Sequence, residues 1–295
     1  MVFHKGDKIE IEYDLTENIE CLGGELTPEL VIKNAVVIDS RGAFKTDIEI
    51  AKGRIIGLGR SAGRSCRHID AEGLVLTAGG IYISEFHDMP DADELLFSGY
   101  STLIIKNITQ LSGSKQAASL LESPLNVGFI ASAVQADKLR INHLLTDGAF
   151  SVDIYAPKTD PVSNSTDAFH IYALKRADDL RREPCQNSSA HHLQDLNTAK
   201  QYGLEDHIGS VSEGKLADLF MWEPEKFLRS PALIIKGGRL IFDSRISDRR
   251  DIIYTKLFDI DRRPAGLPCA FFTSKNAADG YIGTMVGQYR DVLVV

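Results

Sequence analysis

Six side chains of this sequence have the chemistry of a metal site or of acid–base catalysis, and they are Glu85, His87, Asp88, Asp153, His191 and His192. The first three follow one another in TAGGIYISEFHDMP, residues 77–90, where a predicted strand runs out into a loop. Functional groups of β/α proteins lie at such strand ends, so this stretch looks like the edge of a metal site. The acids of DMPDADE also allow a simpler interpretation, since they would cap a following helix and complement its dipole.

Asp153 and the histidine pair each have two interpretations. A lone buried carboxylate is costly unless it is paired, and Lys106, at the end of an earlier strand, is a possible partner for Asp153. Asp153 could instead be a partly solvated acid. His191 and His192 stand beside Asp195 in a polar stretch and could complete a makeshift metal site, although adjacent loop histidines are usually only solvated.

Composition narrows the classes of function. The chain has 295 residues, a net charge of -8 and a pI of about 5.5, which argues against nucleic acid as a partner. No apolar run has the length of a membrane span, and the charged opening MVFHKGDKIEIEYD predicts no signal peptide. Four scattered cysteines lack zinc spacing, so we expect a cytoplasmic protein with free thiols.

The elements that must position these side chains change type along the chain. Residues 1–75 are predicted to be β, because KIEIEYDL alternates apolar and polar side chains with period two and the segments after it are rich in valine and isoleucine. Lys52-Gly53 between two of these strands is a hairpin signal. Strands and helices alternate over residues 76–207, which predicts a parallel sheet covered by helices, with a polar linker at 181–194. Strand patterns return over residues 208–295, including AFFTS. We therefore predict an α/β fold in which a partial (β/α) barrel is inserted into a β-sandwich built from both termini.

The segments VIKNAVVID, DIEIAKGRIIGLG, GLVLTAGGI, GSVSEGKLADLFMW and ALIIKGGRLI occur in an order that resembles the amidohydrolase superfamily. Two segments resemble the large (alpha) subunit of urease in sequence, and they are EGKLADLFMWEPEKF and FFTSKNAADG. The resemblance implies a (β/α)8 barrel with two nickel ions. Their ligands would be a His-x-His on the first strand, a carbamylated lysine on the fourth, two more histidines and an aspartate. Such a metal pair generates hydroxide from bound water.

The sequence departs from that pattern at every ligand that can be aligned. Ser84 and Phe86 occupy the two histidine positions of the first strand, and His87 is one residue out of phase. Asp153 stands at the lysine of the fourth strand and Tyr155 at the histidine after it. The α/β portion is also roughly half of a barrel, since a complete one takes about 250 residues.

These departures lead to one preferred hypothesis and two alternatives. The preferred hypothesis is a pseudoenzyme without metal or other cofactor and with no catalytic residues expected. Its role would be binding, assembly or regulation through a partner subunit, a ligand or a regulatory assembly. A second copy of the chain or another protein would cover the open half-barrel. The first alternative is an amidohydrolase acting on carbon–nitrogen bonds other than peptide bonds, with nickel or zinc in a rebuilt site. The second alternative is a remnant without selected function, although the intact strand patterns indicate a chain that folds.

Overall fold

Two β-sheets form the framework of the computed structural model, which describes residues 27–59, 67–86, 90–108, 123–133, 137–154, 191–245, 269–274 and 291–295. The strands expected at 8–15 and the helices expected near 115–122 and 167–180 lie outside these ranges. Within the described ranges, no helix combines the length and the apolar character needed to cross a membrane.

The first sheet is mixed and has eight strands, which come from two separate parts of the chain. They are β1 (Leu30–Asp39), β2 (Gly42–Ala51), β3 (Arg54–Leu58), β4 (His68–Asp70), β5 (Val75–Ala78), β10 (Leu219–Trp222), β11 (Leu233–Lys236) and β12 (Arg239–Asp243). Their order is β12-β11-β10-β5-β1-β2-β3, with β4 also on β1. The antiparallel pairing of β5 with β10 joins the parts that precede and follow the α/β portion.

Tight turns set the register of this sheet. Lys52 and Gly53 have φ angles of 48° and 73°, and Gly237 and Gly238 have φ angles of 50° and 76°. Two successive left-handed residues characterise the hairpin turn whose twist matches the flanking strands. The hairpin predicted at Lys52-Gly53 is therefore confirmed.

The second sheet consists of six strands whose neighbours are parallel. They are β6 (Gly80–Glu85), β7 (Tyr100–Ile108), β8 (Asn126–Ala133), β9 (Ser151–Ile154), β13 (Ala270–Thr273) and β14 (Asp291–Val294). The order is β14-β13-β8-β7-β6, and β9 also pairs with β8. Three helices accompany this sheet: α1 (Ala92–Phe97), α2 (Lys138–Thr146) and α3 (His191–Tyr202).

Each face of the parallel sheet packs against different helices. On the α1/α2 face, Ile105 and Phe129 form one core with Leu96 and Leu144 of the two helices. On the α3 face, the core side chains belong to Ile81, Ile104, Ile130, Ala199 and Tyr202. Alternation along each strand therefore decides whether a side chain meets α1 and α2 or meets α3.

Three elements differ from the sequence prediction. AFFTS and the last strand, β14, were expected in the β-sandwich of residues 208–295, but β13 pairs with β8 and β14 pairs with β13 in the parallel sheet. All four residues of β13 are buried, which suits a strand covered on both faces. Helix α3 begins at His191, inside the linker predicted at 181–194. No glycine or proline separates His191 from Tyr202, so nothing breaks the helix before Asp195.

Candidate functional site

The carboxyl ends of the parallel strands bring five polar side chains together. Glu85 ends β6, Lys106 and Asn107 lie near the end of β7, and Ser132 and Asp153 lie near the ends of β8 and β9. Because these strands are parallel, their carboxyl ends meet along one edge of the sheet. We name these five residues the strand-end cluster. Ligand sites of parallel sheets and barrels form at this edge.

An ion pair between Lys106 and Asp153 forms the centre of the strand-end cluster. Lys106 Nζ lies 3.6 Å from Asp153 Oδ2, and the two side chains are 20% and 17% exposed. Lysine–carboxylate pairs that are hydrogen-bonded are shorter, at about 2.7–2.9 Å. The Lys106–Asp153 contact is therefore an ion pair without a short hydrogen bond. The structure confirms Lys106 as the partner that the sequence suggested for Asp153.

Sequence reasoning did not identify Asn107 and Ser132. The Ser132 hydroxyl donates a hydrogen bond to Asn107 Oδ1 over 3.0 Å, and Ser132 is the register partner of Asp153. Asn107 has a φ of 59° at a register shift between Ile105 and Ile108, and asparagine tolerates this conformation better than most residues. The local signal was an asparagine placed late in an apolar strand, which can mark a bulge.

Ser84 and Phe86 do not lie on the face that holds the ion pair. Phe86 and Tyr82 are partly buried and pack against the core of the α1/α2 face, and Ser84, two residues from each, points to the same face. The Ser84 hydroxyl donates to the backbone oxygen of Glu85 over 3.4 Å. Asp153 shares the α3 face with Ile130 and Ser132, as the β8–β9 register places it. The structure thus separates positions that the resemblance assigns to one metal site.

The remaining candidates of the alternative site are only partly described. Glu85 is the register neighbour of Lys106 and is exposed on the α3 face. His191 and His192 form the first turn of α3, and Asp195 in the same helix accepts a hydrogen bond from Ile81 N over 3.2 Å. That contact lies at the amino end of β6, away from Glu85. His87, Asp88 and Tyr155 lie outside the described residues.

The acids that follow Pro90 cap a helix. The Asp91 carboxylate accepts hydrogen bonds from Asp93 N and Glu94 N, at 2.9 and 3.0 Å, and it is the N-cap of α1. This satisfies two of the backbone donors that a helix start leaves open. The structural interpretation of DMPDADE is therefore confirmed for Asp91.

A second Lys–Asp pair lies inside the protein, and the sequence did not reveal it. Lys236 Nζ lies 2.7 Å from Asp218 Oδ2 and donates to Asn126 Oδ1 over 2.6 Å. Asn126 also donates to Asp218 Oδ2, while its Oδ1 accepts from Ala270 N over 2.9 Å. Gly237 N donates to Asp218 Oδ1 over 2.7 Å. This buried network joins the mixed sheet to strands β8 and β13 of the parallel sheet.

Two titratable groups of the loop before β10 have lowered pKa values. Burial lowers the pKa of His207, and the charge of Arg54 lowers it further. Burial also lowers the pKa of Lys215, whose ammonium donates to Ile208 O and Ser210 Oγ, at 3.0 and 2.8 Å. These groups belong to the loop before β10 and not to the strand-end cluster.

The residues at the strand ends do not fit the metal pair that the resemblance implies. Phe86 offers no ligand atom, and the Ser84 hydroxyl is directed to a backbone oxygen. Asp153 faces an ammonium group, which repels a metal cation. In the part of the chain that the structure describes, no three His, Cys, Asp or Glu side chains lie close enough to hold one ion.

Two family models match parts of the chain: the N-terminal domain of the urease alpha subunit over residues 13–80, and the amidohydrolase family over residues 195–241. The chain carries segments of the urease alpha-subunit and amidohydrolase families. Urease subunit alpha from two strains of Staphylococcus epidermidis is 53% identical over 45 residues, which is 15% of this chain and 8% of each relative. The urease-like segment ends at the first residue of β6, so the strand-end cluster lies outside both matches.

Solved structures resemble the chain less in sequence than the urease subunits do, and their TM-scores are low. A D-hydantoinase has a TM-score of 0.42 at 11% identity, covering 73% of this chain and 95% of that chain. A beta-aspartyl dipeptidase from Fervidobacterium islandicum has a TM-score of 0.43 at 11% identity, covering 75% and 98%. The fold of this chain is therefore described from its own strand pairing and not from these scores.

Proposed function

We propose that this chain is a catalytically inactive, urease alpha-subunit-like protein that binds a ligand or a protein partner in the cytoplasm. The observation that carries the proposal is the Lys106–Asp153 ion pair on the α3 face. It places an ammonium group at the carboxyl ends of the parallel strands, where hydrolases of this architecture need electrophilic metal. On this proposal the site works without nickel or zinc and does not activate water.

The first-strand positions support the same conclusion. A metal ligand must present a donor atom to the ion, whereas the partly buried Phe86 ring packs against the α1/α2 core. Restoring histidine at this position would remove that contact and still leave the imidazole on the face opposite Asp153. The packing as well as the residue types therefore supports the proposed loss of the metal site.

A second copy of the chain or another protein is the partner that we propose for the parallel sheet. Among the described strands, β6 and β14 end the order of this sheet. Edge strands expose backbone groups that pair readily with another chain. The acidic net charge of -8 disfavours nucleic acid, and we propose no membrane role.

Metal analysis and activity assays test the loss of catalysis. We expect protein purified without chelators to contain less than stoichiometric nickel, zinc or manganese and to hydrolyse neither urea nor simple amides. Stoichiometric metal together with turnover would overturn the proposal. Mass measurement in solution tests the partner separately, since a stable monomer that captures no protein argues against an assembly role.

One observation favours a second candidate, a metal-dependent amidohydrolase with a rebuilt site. Glu85 and Asp153 share the α3 face at the strand ends, and carboxylates are ligands for divalent metals. Under this candidate, Asp153→Asn would abolish both metal content and hydrolysis. The exposed position of Glu225 makes Glu225→Gln a suitable control, which should change neither.

A further inference from the structure

The strand-end cluster presents both signs of charge on one face. Asp153 and Lys106 lie opposite each other across β8, and Glu85 is the register neighbour of Lys106. The side chains of Lys106 and Asp153 are both partly exposed, so a small molecule can reach the two charges. A cluster with two carboxylates and one ammonium matches a ligand that also carries both signs.

The length of the Lys106–Asp153 contact favours such a ligand. At 3.6 Å, neither group gives the other a short hydrogen bond, in contrast to Lys236 and Asp218 at 2.7 Å. An ammonium has three donors and a carboxylate has about four acceptor sites. In a free α-amino acid, the ammonium and the carboxylate are carried by one carbon and lie side by side. Its two charges can therefore meet Asp153 and Lys106 head to tail.

Polar and apolar side chains both lie near the Lys106–Asp153 pair. The Ser132 hydroxyl and the Asn107 amide lie beside the pair and are joined by a 3.0 Å hydrogen bond. Ile83 and Ile130 belong to the core of the same face, and Ile83 is only partly buried. A ligand held by its charges would place its side chain against the partly buried Ile83, which suits a small aliphatic group.

We propose that the strand-end cluster binds the zwitterionic head of a small aliphatic α-amino acid. The Lys106 ammonium donates to the ligand carboxylate, while Asp153, with Glu85 beside Lys106, accepts from the ligand ammonium. This inference rests on the proposed function, because a metal ion held by Asp153 would take the place of the ligand ammonium.

Isothermal titration calorimetry of the full chain with L-alanine tests the inference, with propionate and n-propylamine as probes of the single charges. We expect saturable binding of L-alanine and weaker binding of both probes. Lys106→Met and Asp153→Asn should each weaken L-alanine binding about tenfold or more, since each removes a charged hydrogen bond. Lys106→Arg keeps the charge and should bind within a few-fold of the unmodified chain. Lys138→Met, which alters an exposed lysine on α2, should leave binding unchanged.

The outcomes separate this inference from the proposed function. Absence of L-alanine binding by metal-free, inactive protein overturns the inference and leaves the proposed function standing. Equal binding of L-alanine and n-propylamine overturns the carboxylate contact with Lys106, as does unchanged binding by Lys106→Met. Stoichiometric metal with turnover overturns the proposed function itself.

Discussion

Two lysine–aspartate pairs in this protein have the same chemistry and different surroundings. Lys236 and Asp218 lie 2.7 Å apart, with 0% and 3% of their side chains exposed. Lys106 and Asp153 lie 3.6 Å apart, with 20% and 17% exposed. The inner pair lies where the two sheets meet, and the outer pair lies at the carboxyl ends of the parallel strands.

Burial determines whether an ion pair stabilises the fold or stays available to a ligand. The inner charges have left water, so each must be matched by close partners, and Asn126 and Gly237 N provide them. The charges of Lys106 and Asp153 keep contact with water and do not need close protein partners. Such a pair contributes little to the free energy of unfolding. A partly exposed pair without a short hydrogen bond can exchange partners with a ligand, whereas a buried, hydrogen-bonded pair cannot.

The largest effect expected from this comparison comes from Lys236→Met. The substitution leaves Asp218 buried without its ammonium partner and should lower the free energy of unfolding by about 3–5 kcal/mol. Urea unfolding followed by circular dichroism measures it. The exposed Lys138→Met is the matched control and should stay within about 0.5 kcal/mol. A loss below that of the outer-pair variant would show that the inner pair does not need closure.

Gly79→Ala tests the junction between the two sheets, next to the inner pair. Gly79 N donates to Asp218 O over 2.8 Å, and a Cβ at this position would collide with the Ser101 side chain and crowd Phe220. Overpacking of this kind costs about 1–3 kcal/mol. Thermal unfolding should show the loss, and Ser101→Gly in the same chain should recover part of it. An unaffected Gly79→Ala protein would contradict the close approach of the sheets.

Lys106→Met should have a smaller effect on folding. A partly exposed pair contributes about 0–1 kcal/mol, so the free energy of unfolding should change by no more than that. The same urea titration as for Lys236→Met gives a direct comparison. A loss of the same size as for the inner pair would mean that the strand-end cluster supports the fold and is not held open for a ligand.

The smallest effect is a change in pH dependence through His207. Burial and the charges of Arg54 and Lys215 lower its pKa, while Asp206 opposes them. As the pH falls below the ordinary histidine value of about 6.5, the unfolded chain takes up a proton before the folded chain does. Stability therefore decreases from this value down to the lowered pKa.

His207→Gln should remove that part of the acid destabilisation. Urea midpoints at pH 7 and pH 5 should differ less in the variant than in the unmodified chain. Variants of the two ion pairs are then best compared in the His207→Gln protein, because its stability changes less with pH. A variant with the same pH dependence as the unmodified chain would place the acid sensitivity elsewhere.

Local patterns predicted several elements correctly. LVIKNAVVID is β1, and the helical spacing of DADELLF corresponds to α1 with Asp91 as its cap. The left-handed turn at Lys52-Gly53 also followed from the residue types alone. Each of these features depends on side-chain period or turn chemistry over a few residues, so a single segment contains the information.

The candidate site was predictable only in part. The cost of a lone buried carboxylate suggested Lys106 as a partner for Asp153, but nothing in the sequence placed Ser84 and Phe86 on the opposite face from Asp153. The bulge at Asn107 shifts the register between β7 and β8, and nothing nearby in sequence states where the neighbouring strand lies. Register between strands is a property of the sheet and not of either strand.

The strand and helix patterns, the absence of histidine at Ser84 and Phe86, and the urease-like order of segments can all be read from the sequence. The pairing of β13 with β8 and the matching of Lys236 by Asp218 and Asn126 become visible only in the folded protein. Periodicity and turns act between neighbours in the chain. The contact of β13 with β8 and the hydrogen bond between Asn126 and Asp218 instead join residues more than ninety positions apart.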